Sequence, residues 1–211
     1  VADDATGLIL YNDITLTANF DTTGTGPAAN RTGASVAAGG IENADTGHNK
    51  GDEGYVVALS EGADGSTRLA VGLVEDDGAT TGTDSNKKGA VLLITFDDAD
   101  NNDFSGGELA AVIGHDYDND YSGNANPRGG KDFDLPLGNS DTFGRFVSLD
   151  YDPVLNRHRM AVTATGDDGV AGSNSNHGRV YLFTFTDDSF SGAALTASVS
   201  ADGAAQLGGK H

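Results

Sequence analysis

The sequence contains no cysteine and no tryptophan, one methionine and four prolines in 211 residues. Without cysteine, neither a disulfide framework nor a thiolate metal site can form. That absence does not imply a reducing compartment, because many bacterial surface proteins avoid cysteine. The missing tryptophan weakens a sugar-stacking enzyme or lectin. Positive charge is equally scarce, with 12 Lys and Arg against 32 Asp and Glu and a net charge of −20. Nucleic acid is thereby excluded as a partner, since phosphate binding needs basic residues. No stretch approaches the roughly 20 apolar residues of a membrane-spanning helix. The chain begins at Val1 with no basic segment leading into an apolar one, so it reads as a processed mature chain or an excised fragment. Stretches of 3.6-residue periodicity are missing too, and very little helix is expected.

What is abundant is glycine and aspartate. The 31 glycines gather with Asn, Asp, Ser and Thr around residues 22–26, 78–85 and 172–178, a turn and loop chemistry. Acidity is lopsided, with 27 Asp against 5 Glu. Aspartate's short arm can hold a hard cation close to the backbone; a merely solvated acidic surface is the alternative. Asn30-Arg-Thr32 is a single glycosylation sequon, near chance for one match.

Self-comparison organises the chain. Gly54-Tyr-Val-Val-Ala-Leu-Ser60 matches Gly144-Arg-Phe-Val-Ser-Leu-Asp150, and Arg68-Leu-Ala-Val71 matches Arg159-Met-Ala-Val162. Asp76-Asp-Gly78 matches Asp167-Asp-Gly169, and Gly89-Ala-Val-Leu-Leu-Ile-Thr-Phe96 matches Gly178-Arg-Val-Tyr-Leu-Phe-Thr-Phe185. Asp103-Phe-Ser-Gly106 with Leu109 then matches Ser189-Phe-Ser-Gly192 with Leu195, all five blocks keeping one order at offsets of 86–91 residues. Each unit reads as four short strands, at 55–60, 69–73, 90–96 and 109–113 in the first and 145–150, 160–164, 179–185 and 194–199 in the second. Gly7-Leu-Ile-Leu-Tyr11 followed by Ile14-Thr-Leu-Thr-Ala18 matches the last two strands of a unit. The expected organisation is an orphan half-unit at 1–20, a Gly/Ala-rich linker at 21–49 and a repeat at 50–114. An acidic linker at 115–140, a second repeat at 141–200 and a tail at 201–211 follow. The fold expected is all-β: two and a half four-stranded antiparallel, blade-like repeats, arranged as a β-propeller-like or β-sandwich structure.

The blocks Phe143-Gly144-Arg-Phe-Val-Ser-Leu, Arg159-Met-Ala-Val-Thr-Ala and Gly178-Arg-Val-Tyr-Leu-Phe resemble the FG-GAP repeat. That repeat is the blade unit of integrin-type β-propellers, here in the variant found in large bacterial surface and adhesin proteins. The first copy keeps Gly54 but has Glu53 in place of the Phe. The resemblance implies a Ca²⁺ loop, Asp-x-Asp-x-Asp-Gly, between the first two strands of a blade. That position holds Asp150-Tyr-Asp152-Pro-Val-Leu-Asn156 in one copy and Ser60-Glu61-Gly-Ala-Asp64-Gly65 in the other, neither a full match. Asp150, Asp152 and Asn156 are therefore candidate calcium ligands.

A second acidic loop is independent of the resemblance. Asp116-Tyr-Asp118-Asn-Asp120-Tyr-Ser-Gly123 sets three carboxylates at alternate positions ahead of a glycine, which lets a curled loop aim Asp116, Asp118 and Asp120 at one cation. Asp98-Ala-Asp100 is a third candidate. His48, His115, His158, His177 and His211 form no metalloprotease-type pair and each reads as an exposed loop histidine. No Gly-x-Ser-x-Gly elbow is present, and Gly129-Gly-Lys131 is followed by Asp132 rather than Ser or Thr. An enzyme is not expected.

Two and a half units cannot close a ring of four or more blades. The expectation is an extracellular or cell-surface structural protein, a calcium-stabilised subunit of a filament, tube or matrix. It would polymerise with copies of itself through residues 7–18, whose sheet edges invite pairing. The alternative is an adhesin module that binds a ligand or cell and is excised from a longer repetitive surface protein.

Overall fold

The computed structural model describes residues 54–78, 86–97, 104, 107–117, 130–168, 176–200 and 206–207. The segment 7–18, Asn30, Asp98, Asp100, Asp118 and Asp120 lie outside the described residues. Ten strands occur among them, and no helix. The first sheet runs in the order β1 (Gly54–Glu61), β2 (Thr67–Leu73), β3 (Ala90–Thr95), β4 (Glu108–Gly114) and β5 (Phe133–Asp134). In the second, β6 (Phe143–Asp152), β7 (Arg157–Ala164), β8 (Arg179–Thr184), β9 (Ala194–Ser200) and β10 (Gln206–Leu207) follow one another. All pairings are antiparallel except the two-residue β4–β5 contact, which is parallel. Neither sheet closes on itself.

The two sheets share their register. Arg68 pairs with Thr95 as Arg159 pairs with Thr184, and Ala70 with Leu93 as Ala161 with Leu182. Even the bulges correspond, lying between Leu93 and Ile94 and between Leu182 and Phe183. Each unit's connection between its second and third strands is fastened alike: Gly89 N–H donates to the Asp76 carbonyl at 2.8 Å and Gly178 N–H to that of Asp167 at 2.9 Å.

Successive side chains of a strand point to opposite faces, so each sheet has a front and a back. Ala70, Val91, Leu93, Ala111 and Ile113 form the front of the first sheet and are entirely buried. They join one core with Met160, Val162, Tyr181 and Phe183 on the back of the second sheet. Phe143 closes this core from the start of β6, with its ring edge-on to Tyr181 at 5.4 Å. The stacking is thus front to back, not front to front. At Gly72 the strands come so close that a Cβ would lie 2.0 Å from the Gly144 carbonyl oxygen, so only glycine admits β6 there.

The opposite faces differ. Val71, Leu73, Ala90, Leu92, Ile94 and Val112, on the back of the first sheet, are buried as a second apolar cluster with Phe96. β3 is consequently buried on both sides, which explains its unbroken run Ala-Val-Leu-Leu-Ile. In β7, by contrast, buried residues alternate with more exposed ones. The segment entering the second unit is stitched to the first. Thr142 and Phe143 N–H groups donate to the carbonyls of Lys87 at 3.0 Å and Lys88 at 2.9 Å.

Candidate functional site

The hairpin that joins β6 and β7 holds Asp150, Asp152 and Asn156, each with a partner inside the hairpin. Arg159 lies between the two carboxylates, 2.5 Å from Asp150 Oδ2 and 3.8 Å from Asp152 Oδ2. Asp152 Oδ1 also accepts the Val154 and Leu155 N–H groups at 3.0 and 3.1 Å, organising the turn. Asn156 takes a positive φ of 51°, a conformation asparagine tolerates, and accepts the Tyr151 hydroxyl at 2.7 Å. A guanidinium thus neutralises this acidic pair from within.

Asp116 comes together with His115, its neighbour in sequence, and with Asp134, which the sequence pattern did not link to it. Its ligand atoms, those of His115 and those of Asp134 on β5 all lie within 4.8 Å of one another. His115 Nδ1 is 3.1 Å from the Leu135 carbonyl oxygen. When that nitrogen carries the proton, Nε2 turns its lone pair toward Asp116 Oδ2, 3.3 Å away. The Asp116 N–H donates to Asp134 Oδ1 at 2.6 Å, which ties the cluster to the β4–β5 junction. One imidazole with two carboxylates suits a borderline transition metal better than calcium, which prefers oxygen throughout. What brings Asp134 into place is β5, whose two residues inside an acidic linker give no strand signal in sequence.

Further carboxylates are buried and hold loops. Asp76 Oδ1 accepts the Gly78 N–H at 2.8 Å, and its Oδ2 accepts the Tyr117 hydroxyl at 2.8 Å. Asp167 Oδ2 accepts the Tyr181 hydroxyl at 2.5 Å, and Arg179 Nη2 lies 3.4 Å from its Oδ1. Burial and the adjoining Asp167 carboxylate push the Tyr181 phenol far up. Asp141 is also raised, because burial outweighs the Gly138 N–H that it accepts. The repeat alignment marked Asp76 and Asp167, but an aspartate in a Gly-rich loop reads as solvated until its burial is seen.

A polar clamp of side chains also joins the sheets. Arg68 on β2, with its side chain 6% exposed, reaches the loop between β8 and β9. Its Nε donates to the Asp188 carbonyl at 2.8 Å and its Nη2 lies 3.4 Å from Asp188 Oδ2. The Ala63 N–H donates to the same carboxylate at 3.1 Å. Close by, His158 is fully buried between Tyr151 and Phe190, with ring centroids 5.2 and 5.1 Å away. The expectation of an exposed loop histidine is corrected here, because its position on β7 alternates into the core. Desolvation, reinforced by the Arg68 charge, holds the His158 imidazole below its usual range.

On the front of the second sheet, a shallow depression of about 310 Å³ lies among Ser148, Arg159, Ala161, Leu182, Thr196 and Ala197. Among the described residues no helix is long and apolar enough to cross a membrane. The chain matches no family model and no curated protein.

Proposed function

We propose that this chain is an extracellular structural protein, a subunit that assembles head to tail into a filament, tube or matrix, without catalytic activity of its own. In this reading the two sheets are consecutive blades of an FG-GAP-like array, and residues 1–20 supply half of another. The observation that carries the reading is the front-to-back stacking of two like sheets. A contact between unlike faces is heterologous and leaves a new front face for each one it covers, so it propagates unless a rotation closes it. Strand addition from residues 7–18 would supply the intermolecular link.

Cations would stiffen the joints. Calcium is the ion expected for Asp116, Asp118 and Asp120; the His115, Asp116 and Asp134 cluster would hold a borderline transition metal at the same loop. Electron microscopy of the purified chain tests the proposal. Filaments or sheets should form and should shorten or dissolve with chelator, while a chain lacking residues 1–20 stays monomeric. Polymerisation of the truncated chain would contradict the role of that segment.

A further inference from the structure

We propose that the free front face of the second sheet is the seat for residues 7–18 of a second copy of this chain; this rests on, and deepens, the assembly reading above. The molecule contains the precedent. Ala70, Val91, Leu93, Ala111 and Ile113 on the first front face are covered by the second sheet. By register their counterparts are Ala161, Val180, Leu182, Ala197 and Val199. These are also apolar, yet Val199 is 43% exposed where Ile113 is 0%. An apolar face conserved in pattern but left uncovered marks an interaction surface.

The polar clamp repeats the pattern. Arg68 on the covered front is 6% exposed and grips Asp188 of the next sheet's loop between its third and fourth strands. Arg159, its counterpart, is 51% exposed and turns back on Asp150 of its own hairpin. It is placed to grip an acidic loop on whatever sheet docks next. In the N-terminal sequence, Asp13 stands between the two strand patterns, as Asp188 stands between β8 and β9.

One glycine identifies the occupant as a half-unit. Gly72 admits the first strand of the second unit, because a Cβ there would strike the Gly144 carbonyl at 2.0 Å. The counterpart of Gly72 is Thr163, whose Cβ would meet the first strand of any full unit docked the same way. Residues 7–18 carry only the third- and fourth-strand patterns and bring no first strand. Leu8, Ile9, Leu10, Ile14 and Leu16 make the segment apolar in sequence, a complement in character to the front face. The back of the first sheet is buried along β2 and β3 and exposes Val57 and Leu59 only at its β1 edge, which leaves less of it open for this role.

The test uses full-length chains. Leu182→Asp places a charge in the centre of the face without touching the buried core, and its melting curve should match that of the parent. Its critical concentration for assembly should rise about tenfold or more. Because the parent has no cysteine, two variants, Leu10→Cys and Ala197→Cys, made separately and mixed under oxidation, should give a disulfide-linked heterodimer. A Leu10→Cys and Val154→Cys mixture should not. Assembly of Leu182→Asp at the parent's concentration, or no preferential cross-link, would overturn this seat while leaving the filament reading intact. A parent chain that stays monomeric would overturn both.

Discussion

The two sheets of this protein share the order of their first four strands, the register of the second and third, and the bulge between the third and fourth, yet the first is buried on both faces along β2 and β3 and the second on one. The difference cannot lie in the strand pattern, which is common to both. It lies in neighbours. In the first sheet Leu93 is at 0% exposure and Arg68 at 6%, because another sheet lies over them. In the second, the matching Leu182 lines an open depression and Arg159 is half exposed. One chain therefore holds like surfaces in a bound and a free state, and the bound copy shows how the free copy can be covered, short of the first strand that Thr163 excludes.

Paired substitutions break this equivalence most visibly where burial differs most. Leu93→Asp buries an unpaired carboxylate in the shared core and should abolish folding or cost more than about 4 kcal/mol. The matched Leu182→Asp should leave the unfolding free energy measured in urea within about 0.5 kcal/mol of the parent. Equal losses would mean that the two faces are not distinct. Next in size is the arginine pair. Arg68→Ala removes one partner of a mostly buried ion pair and strands Asp188, at a cost of about 3 kcal/mol. Arg159→Ala removes an exposed pair worth about 0–1 kcal/mol. Chemical denaturation of the two variants decides this, and an Arg159 loss as large as that of Arg68 would refute the contrast.

The smallest effect concerns pH. The folded state holds His158 below its ordinary pKa of 6.5, so the unfolded chain binds more protons in the window below that value. Stability is full above pH 6.5 and declines as pH falls toward the depressed folded value. Urea midpoints at pH 7.5 and 5.5 should show this loss in the parent and a smaller one in His158→Phe. An identical pH response in the two would show that His158 does not titrate on unfolding.

Much of the fold is legible in the repeat. Arg68 and Arg159 lie near the start of the second strands, Gly89 and Gly178 stand just before the third, and the strand bounds lie within three residues of those read by alternation. What alternation cannot reveal is which face is covered. Val91 and Val180 look alike in sequence and differ only in what lies above them. β5 escapes detection because two residues, Phe133 and Asp134, carry no period, and their parallel pairing is decided by the fold around β4. For the same reason Asp134 could not be joined to His115 and Asp116 from spacing. The regular Asp116-x-Asp118-x-Asp120 pattern drew attention along the chain, while the contact runs across it. His158 was hidden by the turn residues just before it.

Sedimentation velocity of the full-length chain over a concentration series tests the central claim most directly. Unlike faces that pair head to tail predict a sedimentation coefficient that climbs with concentration and reaches no plateau, and a single Leu182→Asp substitution that collapses it to the monomer value. A constant monomer value, or a plateau at a closed dimer, would contradict the account.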